Sequence, residues 1–343
     1  MRRLTFFLSG EHSKIPSSEV AAAIEAENHN YKAIEKLDQI LTVETDANPA
    51  LLSRRLGMCH WIGEHFCTCG EEDLIEAIGS SDILDFLPQS RSIAVRVRRV
   101  KNYLSEIDTQ KLAQKIADAI LEKYDYNVDL ENPHNEIACV LSEGKCVVTK
   151  ILTKVERQAF QERKPSKRAF VHPSTMQPNL ARALVNLART PRNGTFLDPF
   201  CGVGGILIEA GLIGSTPIGV DIKPELIEGS RKNLKERGIK EFELHETDAK
   251  DLDIEKVDAI ATDPPYGRQA STGGSELKEL YKSTLPVLTN QLKSEKYLCI
   301  TAPTEIELEK MSEDLPLNIK DIYRQRVHKS LTRNIYVFQR EKY

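Results

Sequence analysis

From Gly194 onward, short apolar runs alternate with longer stretches of helical period. GTFLDPF reads as a strand ending at Asp198, and the apolar GGILIEAGLIG after it as a short helix. TPIGVDI is a second strand, ending at Asp221. Pro224 then opens a charged helix, ELIEGSRKNLKERG, which Gly238 stops. FELHETDA and VDAIATDPPYG predict a third and a fourth strand, followed by a helix over Leu277–Leu292 and the strand YLCITAP. NIKDIYRQRVHK and RNIYVFQRE form a closing pair. Strands alternating with helices at this spacing predict βαβ units, hence an α/β fold with a mainly parallel sheet covered on both faces.

The first 160 residues are patterned differently. Helical periods run over Ser18–Asn28, Pro49–Glu64 and Thr109–Tyr124, and strand-like runs over Ser92–Val100 and Lys145–Ile151. This predicts an α+β region. Glu162–Pro178 mixes basic residues with three prolines and reads as the passage into the second part.

Composition is ordinary for a globular chain: 343 residues, 40% hydrophobic, mean hydropathy −0.38. No run approaches the roughly 20 apolar residues of a membrane helix, and seven scattered cysteines fit a reducing cytoplasm. Net charge is −4 and the pI near 6.1, which speaks against a protein that coats nucleic acid. The charge is segregated, however. Residues 64–85 hold seven acids and no base, whereas Arg91, Arg96, Arg98, Arg99 and Lys101 carry no acid between them. Residues 150–168 and 320–340 are also strongly basic.

Acidic and glycine-rich chemistry falls at the ends of successive strands, where doubly wound sheets bind ligands. Asp198-Pro199-Phe200-Cys201-Gly202-Val203-Gly204-Gly205 permits a tight turn and close backbone approach, but carries no phosphate-loop lysine. Asp221 suits the two hydroxyls of a ribose, and Asp248 an adenine amino group. Each acid alone also fits an N-cap. Asp263-Pro264-Pro265-Tyr266-Gly267 ends the fourth strand. The carboxylate and the Pro264 carbonyl can both accept from one exocyclic amine, the prolines stiffen the backbone, and the Tyr266 ring can stack on a base. An aryl amine is a poor nucleophile because its lone pair is delocalised. Holding both N–H groups draws the nitrogen toward tetrahedral geometry, so positioning and electrostatics suffice for methyl transfer.

Asp198–Gly205 followed by Asp263–Gly267 resembles the S-adenosylmethionine-dependent amino-methyltransferases. His172-Pro173-Ser174-Thr175-Met176-Gln177-Pro178, running into Leu180–Ala188, is similar to the leading helix of RNA guanine-N2 methyltransferases. Arg326–Arg333 resembles the closing hairpin of the archaeal tRNA guanine-10 N2-methyltransferase family. The resemblance implies a Rossmann-like class I methyltransferase domain over 168–343 with an antiparallel closing hairpin. It implies a ferredoxin-like part over 1–55, a THUMP-like RNA-binding domain over 56–150 and a linker over 151–167. The implied activity is methyl transfer to N2 of guanine in tRNA, at position 10, once or twice. Another tRNA or rRNA guanine, or a catalytically silent RNA-binding adaptor, remain the alternatives.

On this reading Asp263, Pro264, Pro265 and Tyr266 are catalytic. Asp198, Phe200, Cys201, Gly202, Gly204, Asp221, Ile222, Asp248 and Ala249 hold S-adenosylmethionine, with Cys201 packing there rather than acting as a nucleophile. Arg96, Arg98, Arg99, Lys101, Lys164, Lys167 and Arg168 are the candidate RNA contacts. Cys59, His60, His65, Cys67 and Cys69 lack the second ligand pair a zinc site needs, and read as packing or surface groups. The expected partner is tRNA, with no DNA and no membrane, for a monomeric cytoplasmic chain. An accessory protein stays open. The loop Gly267–Ser275 is either a closure over the base or an idle connection.

Overall fold

The computed structural model describes residues 1–80, 91–172, 176–266, 273–328 and 331–342, with the side chains of 273–275 and 328 excepted. The Pro173–Thr175 motif segment, residues 81–85 of the acidic run and 267–272 of the loop after the catalytic motif lie outside the described residues. Two compact units emerge, and the chain passes repeatedly between them. The first comprises Met1–Ser13, His29–Ser53 and Cys59–Val155; the second comprises Lys14–Asn28, Arg54–Met58 and Glu156–Tyr343.

In chain order the earlier elements are β1 (Arg2–Leu8), α1 (Ile15–Ala26), β2 (Tyr31–Leu37), β3 (Ile40–Thr45), α2 (Pro49–Arg55) and β4 (Cys59–Cys69). They continue with α3 (Leu74–Ser80), β5 (Ser92–Arg99), α4 (Thr109–Leu121), β6 (Asn127–Val128), β7 (Asn135–Ser142) and β8 (Lys145–Lys154). The eight strands make one sheet in the order β2-β3-β1-β4-β8-β7-β5-β6. α4 is started by Asp108, whose side chain accepts from the backbone N–H groups of Gln110 and Lys111. It turns Leu112, Ile116 and Ile120 onto Ile93, Ile137 and Val148.

The helix expected over Pro49–Glu64 is cut short. α2 ends at Arg55, and Cys59–Cys69 is a strand held between β1 and β8. Pairing on both edges overrides a local helical period. Gly63 shows how close the neighbour lies: a Cβ there would meet Thr149 Oγ1 at 2.1 Å.

The second unit continues with α5 (Arg157–Glu162), α6 (Pro178–Leu187), β9 (Thr195–Asp198), α7 (Gly205–Leu212), β10 (Thr216–Asp221) and α8 (Pro224–Glu236). It closes with β11 (Glu243–Glu246), β12 (Val257–Thr262), α9 (Gly273–Gln291), β13 (Leu292–Pro303), α10 (Leu308–Met311), β14 (Leu317–His328) and β15 (Leu331–Arg340). Its sheet runs β11-β10-β9-β12-β13-β15-β14. β9 to β13 are mutually parallel, whereas β15 is antiparallel to both β13 and β14. Phe196, Ala259 and Ala261 face one apolar layer, and Leu197 and Ile260 face the other, as a two-sided sheet requires.

The chain crosses between the units at Ser53/Arg54 and Met58/Cys59. α1 packs with the second unit, burying Ile15 and Ala22 in the same core as Leu184 and Phe196. A buried polar network fixes it there. Glu19 accepts from the backbone N–H groups of Gly57 and Met58 and from the Asn186 side chain at 2.7–2.8 Å. Arg55 donates to Asn186 Oδ1, to Glu27 and to the Thr190 carbonyl. Within 151–167, β8 runs to Lys154, and α5 places Arg163 on Glu209, which Arg182 also pairs. No helix among the described residues is long and apolar enough to cross a membrane.

Candidate active site

β10 and β12 lie on opposite sides of β9, so the sheet has its switch point at β9 and a crevice opens beyond the strand ends. A cavity of about 300 Å³ occupies that place. Asp198, Phe200, Cys201 and Gly202 line it from the end of β9, and Asp221 and Ile222 from β10. Asp248 and Ala249 follow β11, while Asp263 and Pro265 follow β12.

The loop after β9 depends on two left-handed glycines. Gly202 has φ +52°, and a Cβ there would meet nothing within 4 Å. Gly204 has φ +80°, and its Cβ would strike Ser230 Oγ at 2.5 Å. Gly204 is not among the lining residues, so its place in the site is to seat α7 closely against α8. Asp221 ties the loop down, accepting from Gly202 N–H and Lys223 N–H at 3.0 Å each. Each carboxylate oxygen retains a lone pair for a further donor. Asp248 is an N-cap, accepting from Lys250 N–H, and it lines the cavity as well. The two readings of this acid are compatible.

Asp198 is 1% exposed. Burial pushes its carboxyl up to about 7, against the opposing hydrogen bonds from Thr262 and Phe200. Cys201 is buried and its thiol is pushed up by the same cause, consistent with packing.

The Asp263 side chain is held by Tyr266 of its own motif and by two groups that the motif does not contain, Thr301 and Arg333. Its Oδ1 accepts from the hydroxyls of Tyr266 and Thr301 and from Arg333 Nη1, the last at 2.7 Å. Tyr266 is thus anchored through its hydroxyl, and burial with the neighbouring Asp263 pushes that hydroxyl well above its usual range. Neither Tyr266 nor Pro264 lines the cavity, so the structure brings only Asp263 and Pro265 of the four expected catalytic residues to its wall. Thr301 carried no signal in the sequence. Arg333 closes the hairpin motif, yet its spacing gave no hint of its partner.

These residues suit S-adenosylmethionine. Carboxylates at three strand ends can take ribose hydroxyls, an adenine amine and a cationic centre, while Ile206, Ile222 and Leu226 offer apolar surface for a base.

Of the expected RNA contacts in the first unit, Arg98 is exposed, while Arg96 pairs with Glu136 at 3.0 Å. Both border a groove with Phe7, His60, Trp61 and Lys154. Lys101 pairs with Asp38, and Arg99 donates to the Leu104 and Ile107 carbonyls. In the second unit Lys167 is exposed and Lys164 half-buried. Arg168 is buried, and its Nε donates to the Arg163 carbonyl.
Cys67 and Cys69 are partly buried against the first unit's core, and His65 bonds to Thr5.

The model described as RMKL-like, methyltransferase domain, matches residues 165–335, and the THUMP domain model matches residues 70–150. Over 335 residues the chain is 36% identical to the tRNA (guanine(10)-N2)-dimethyltransferase of Methanothermobacter thermautotrophicus, covering 97% of this chain and 98% of that protein. The chain belongs to the tRNA (guanine(10)-N2)-dimethyltransferase family. A protein of the same name from Methanocaldococcus jannaschii is 33% identical over 360 residues, covering 98% of this chain and 99% of its own. Among solved structures, TrmN from Thermus thermophilus superposes with a TM-score of 0.54 at 18% identity, covering 99% of this chain and 100% of that one, a likeness of fold. This member of the tRNA (guanine(10)-N2)-dimethyltransferase family therefore has a class I S-adenosylmethionine-dependent methyltransferase fold with a THUMP domain.

Proposed function

We propose that this chain methylates N2 of guanine at position 10 of tRNA, adding one and then a second methyl group, with S-adenosylmethionine as donor. The observation that carries the reading is the meeting of Asp263 with Asp198, Gly202, Asp221 and Asp248 on one cavity wall. Full-length similarity to two tRNA (guanine(10)-N2)-dimethyltransferases supports the choice of base and position.

Asp221 would hold the ribose of the donor and Asp248 its adenine amine, with Ile222, Ala249, Phe200 and Gly202 enclosing it. When bound, S-adenosylmethionine supplies an electrophilic methyl on a sulfonium centre. The chain's own work is positioning. Asp263 and the Pro264 carbonyl accept the two N–H groups of the guanine amine, so its lone pair is withdrawn from the ring and directed. The base must be unpaired or flipped to reach this place. Arg98 and Lys167 are the cations offered to phosphates. Acting on tRNA, the chain would work in the cytoplasm and as a monomer.

The test is mass-spectrometric mapping of nucleosides after incubating a tRNA transcript with enzyme and S-adenosylmethionine. N2-methylguanosine and N2,N2-dimethylguanosine at position 10 are expected. Methylation at another position, or on another base, would overturn the assignment.

A further inference from the structure

Three donors converge on a single oxygen of the Asp263 carboxylate. Oδ1 takes Tyr266, Thr301 and Arg333, while Oδ2 has no donor among the described residues. The donors arrive from separate places: the loop after β12, the body of β13 and the start of β15. β13 and β15 are neighbours in the sheet, and Arg333 stands opposite Pro303 on one side and Gln325 on the other. Its guanidinium is fixed at both ends. Nε donates to Gln325 Oε1 at 2.9 Å, and Nη1 reaches the Tyr266 hydroxyl at 2.6 Å as well as Asp263.

A cation this enclosed, with its side chain 5% exposed, is costly unless it is paired. Apolar side chains would complete the hairpin without that cost. What the arginine adds is direction. A carboxylate whose one oxygen is saturated from three sides has one orientation, and its other oxygen remains the acceptor for an incoming group.

We propose that Arg333 is a positioning residue for methyl transfer: together with Thr301 and Tyr266 it saturates Oδ1 of Asp263 and so assigns Oδ2 to the guanine amine. This rests on the reading of Asp263 as the amine acceptor. It also gives the antiparallel hairpin a part in the chemistry, because Arg333 reaches the site only through β15.

Steady-state kinetics with a tRNA transcript and S-adenosylmethionine test it, using Arg333→Met, Arg333→Lys and Thr301→Val with a thermal melt of each. Arg333→Met is expected to lower kcat about 100-fold with KM for both substrates within about threefold of the parent, the mark of lost aim rather than lost binding. Arg333→Lys should recover about a tenth of the parental kcat, since an ammonium can still donate to Oδ1 but cannot span Gln325 as well. A folded Arg333→Met enzyme with parental kcat, or one altered in KM alone, overturns the proposal. If Arg333→Met does not fold, Thr301→Val decides: a roughly tenfold fall in kcat supports the saturated oxygen, and parental kinetics reject it. Asp263→Ala, which has no acceptor at all, separates the two readings in the same assay. Full activity there sinks the amine-acceptor role itself, whatever Arg333 does.

Discussion

Asn186 donates its side-chain amide to Glu19 at 2.7 Å across 167 positions of sequence. The bond lies wholly inside the second unit, because α1 and residues 54–58 belong there. Burial raises the Glu19 carboxyl, and the hydrogen bonds from Gly57, Asn186 and Met58 oppose that shift. Removing residues 1–150 takes away Glu19 and Arg55 and strips Arg182 and Asn186 of partners. The remaining chain is expected to lose cooperative melting and cofactor binding, in place of the retained binding that an independent catalytic domain would show. Glu19→Ala in the full chain should cost about 3 kcal/mol in a urea melt. A truncated chain that melts cooperatively and binds S-adenosylmethionine would show the network to be dispensable.

Asp263→Asn keeps the shape of the side chain but presents an amide to Arg333. Transfer is expected to fall by about three orders of magnitude with tRNA affinity unchanged, measured by methyl incorporation and by filter binding. A parallel loss of tRNA affinity would mean that Asp263 supports the fold of the site rather than the reaction.

Tyr266→Phe separates ring from hydroxyl. The variant keeps a stacking surface and removes one donor from Asp263 Oδ1. A roughly tenfold lower kcat is expected, since the anchoring is made by the hydroxyl. Parental kcat would return the residue to the stacking role that the motif suggests.

Asp198 sets a pH dependence of stability. Its carboxyl lies at about 7 in the folded chain against an ordinary 3.8. The unfolded state therefore ionises first, and stability is lost progressively as pH rises from about 4 to about 7, then no further. Asp198→Asn, whose Oδ1 can still accept from Thr262 and Phe200, should melt above the parent at pH 8. That advantage should shrink toward pH 4. An advantage independent of pH would assign the effect to something other than the buried carboxyl.

Arg98 and Arg168 should part company. Arg98→Ala is expected to weaken tRNA binding and lower the salt slope by about one, without changing the melting temperature. Arg168→Ala should instead lower the melting temperature, because its guanidinium is buried and bonded to the Arg163 carbonyl. The reverse pattern would exchange their roles.

The second unit was largely legible in the sequence because its strands end in acids and its helices in glycines, signals that act within a few residues. Asp198, Asp221, Asp248 and Asp263 were placed by those local rules, and the sheet gathers all four on one wall. What stayed hidden was non-local. Cys59–Cys69 becomes a strand through pairing with β1 and β8, which a helical period over 49–64 cannot announce. Arg333 meets Asp263 only because β15 lies beside β13, and Arg168 and Arg99 look like solvent-facing cations until their carbonyl partners fold around them.

The placement of α1 has a consequence for how the protein is made. The helix leaves the ribosome well ahead of Asn186, which follows about 160 residues later. At common elongation rates it waits roughly 10–30 s with Ile15 and Ala22 unburied. During that interval the nascent chain carries an apolar helix without its bed, so chaperone occupancy should fall on this segment and end when α6 emerges.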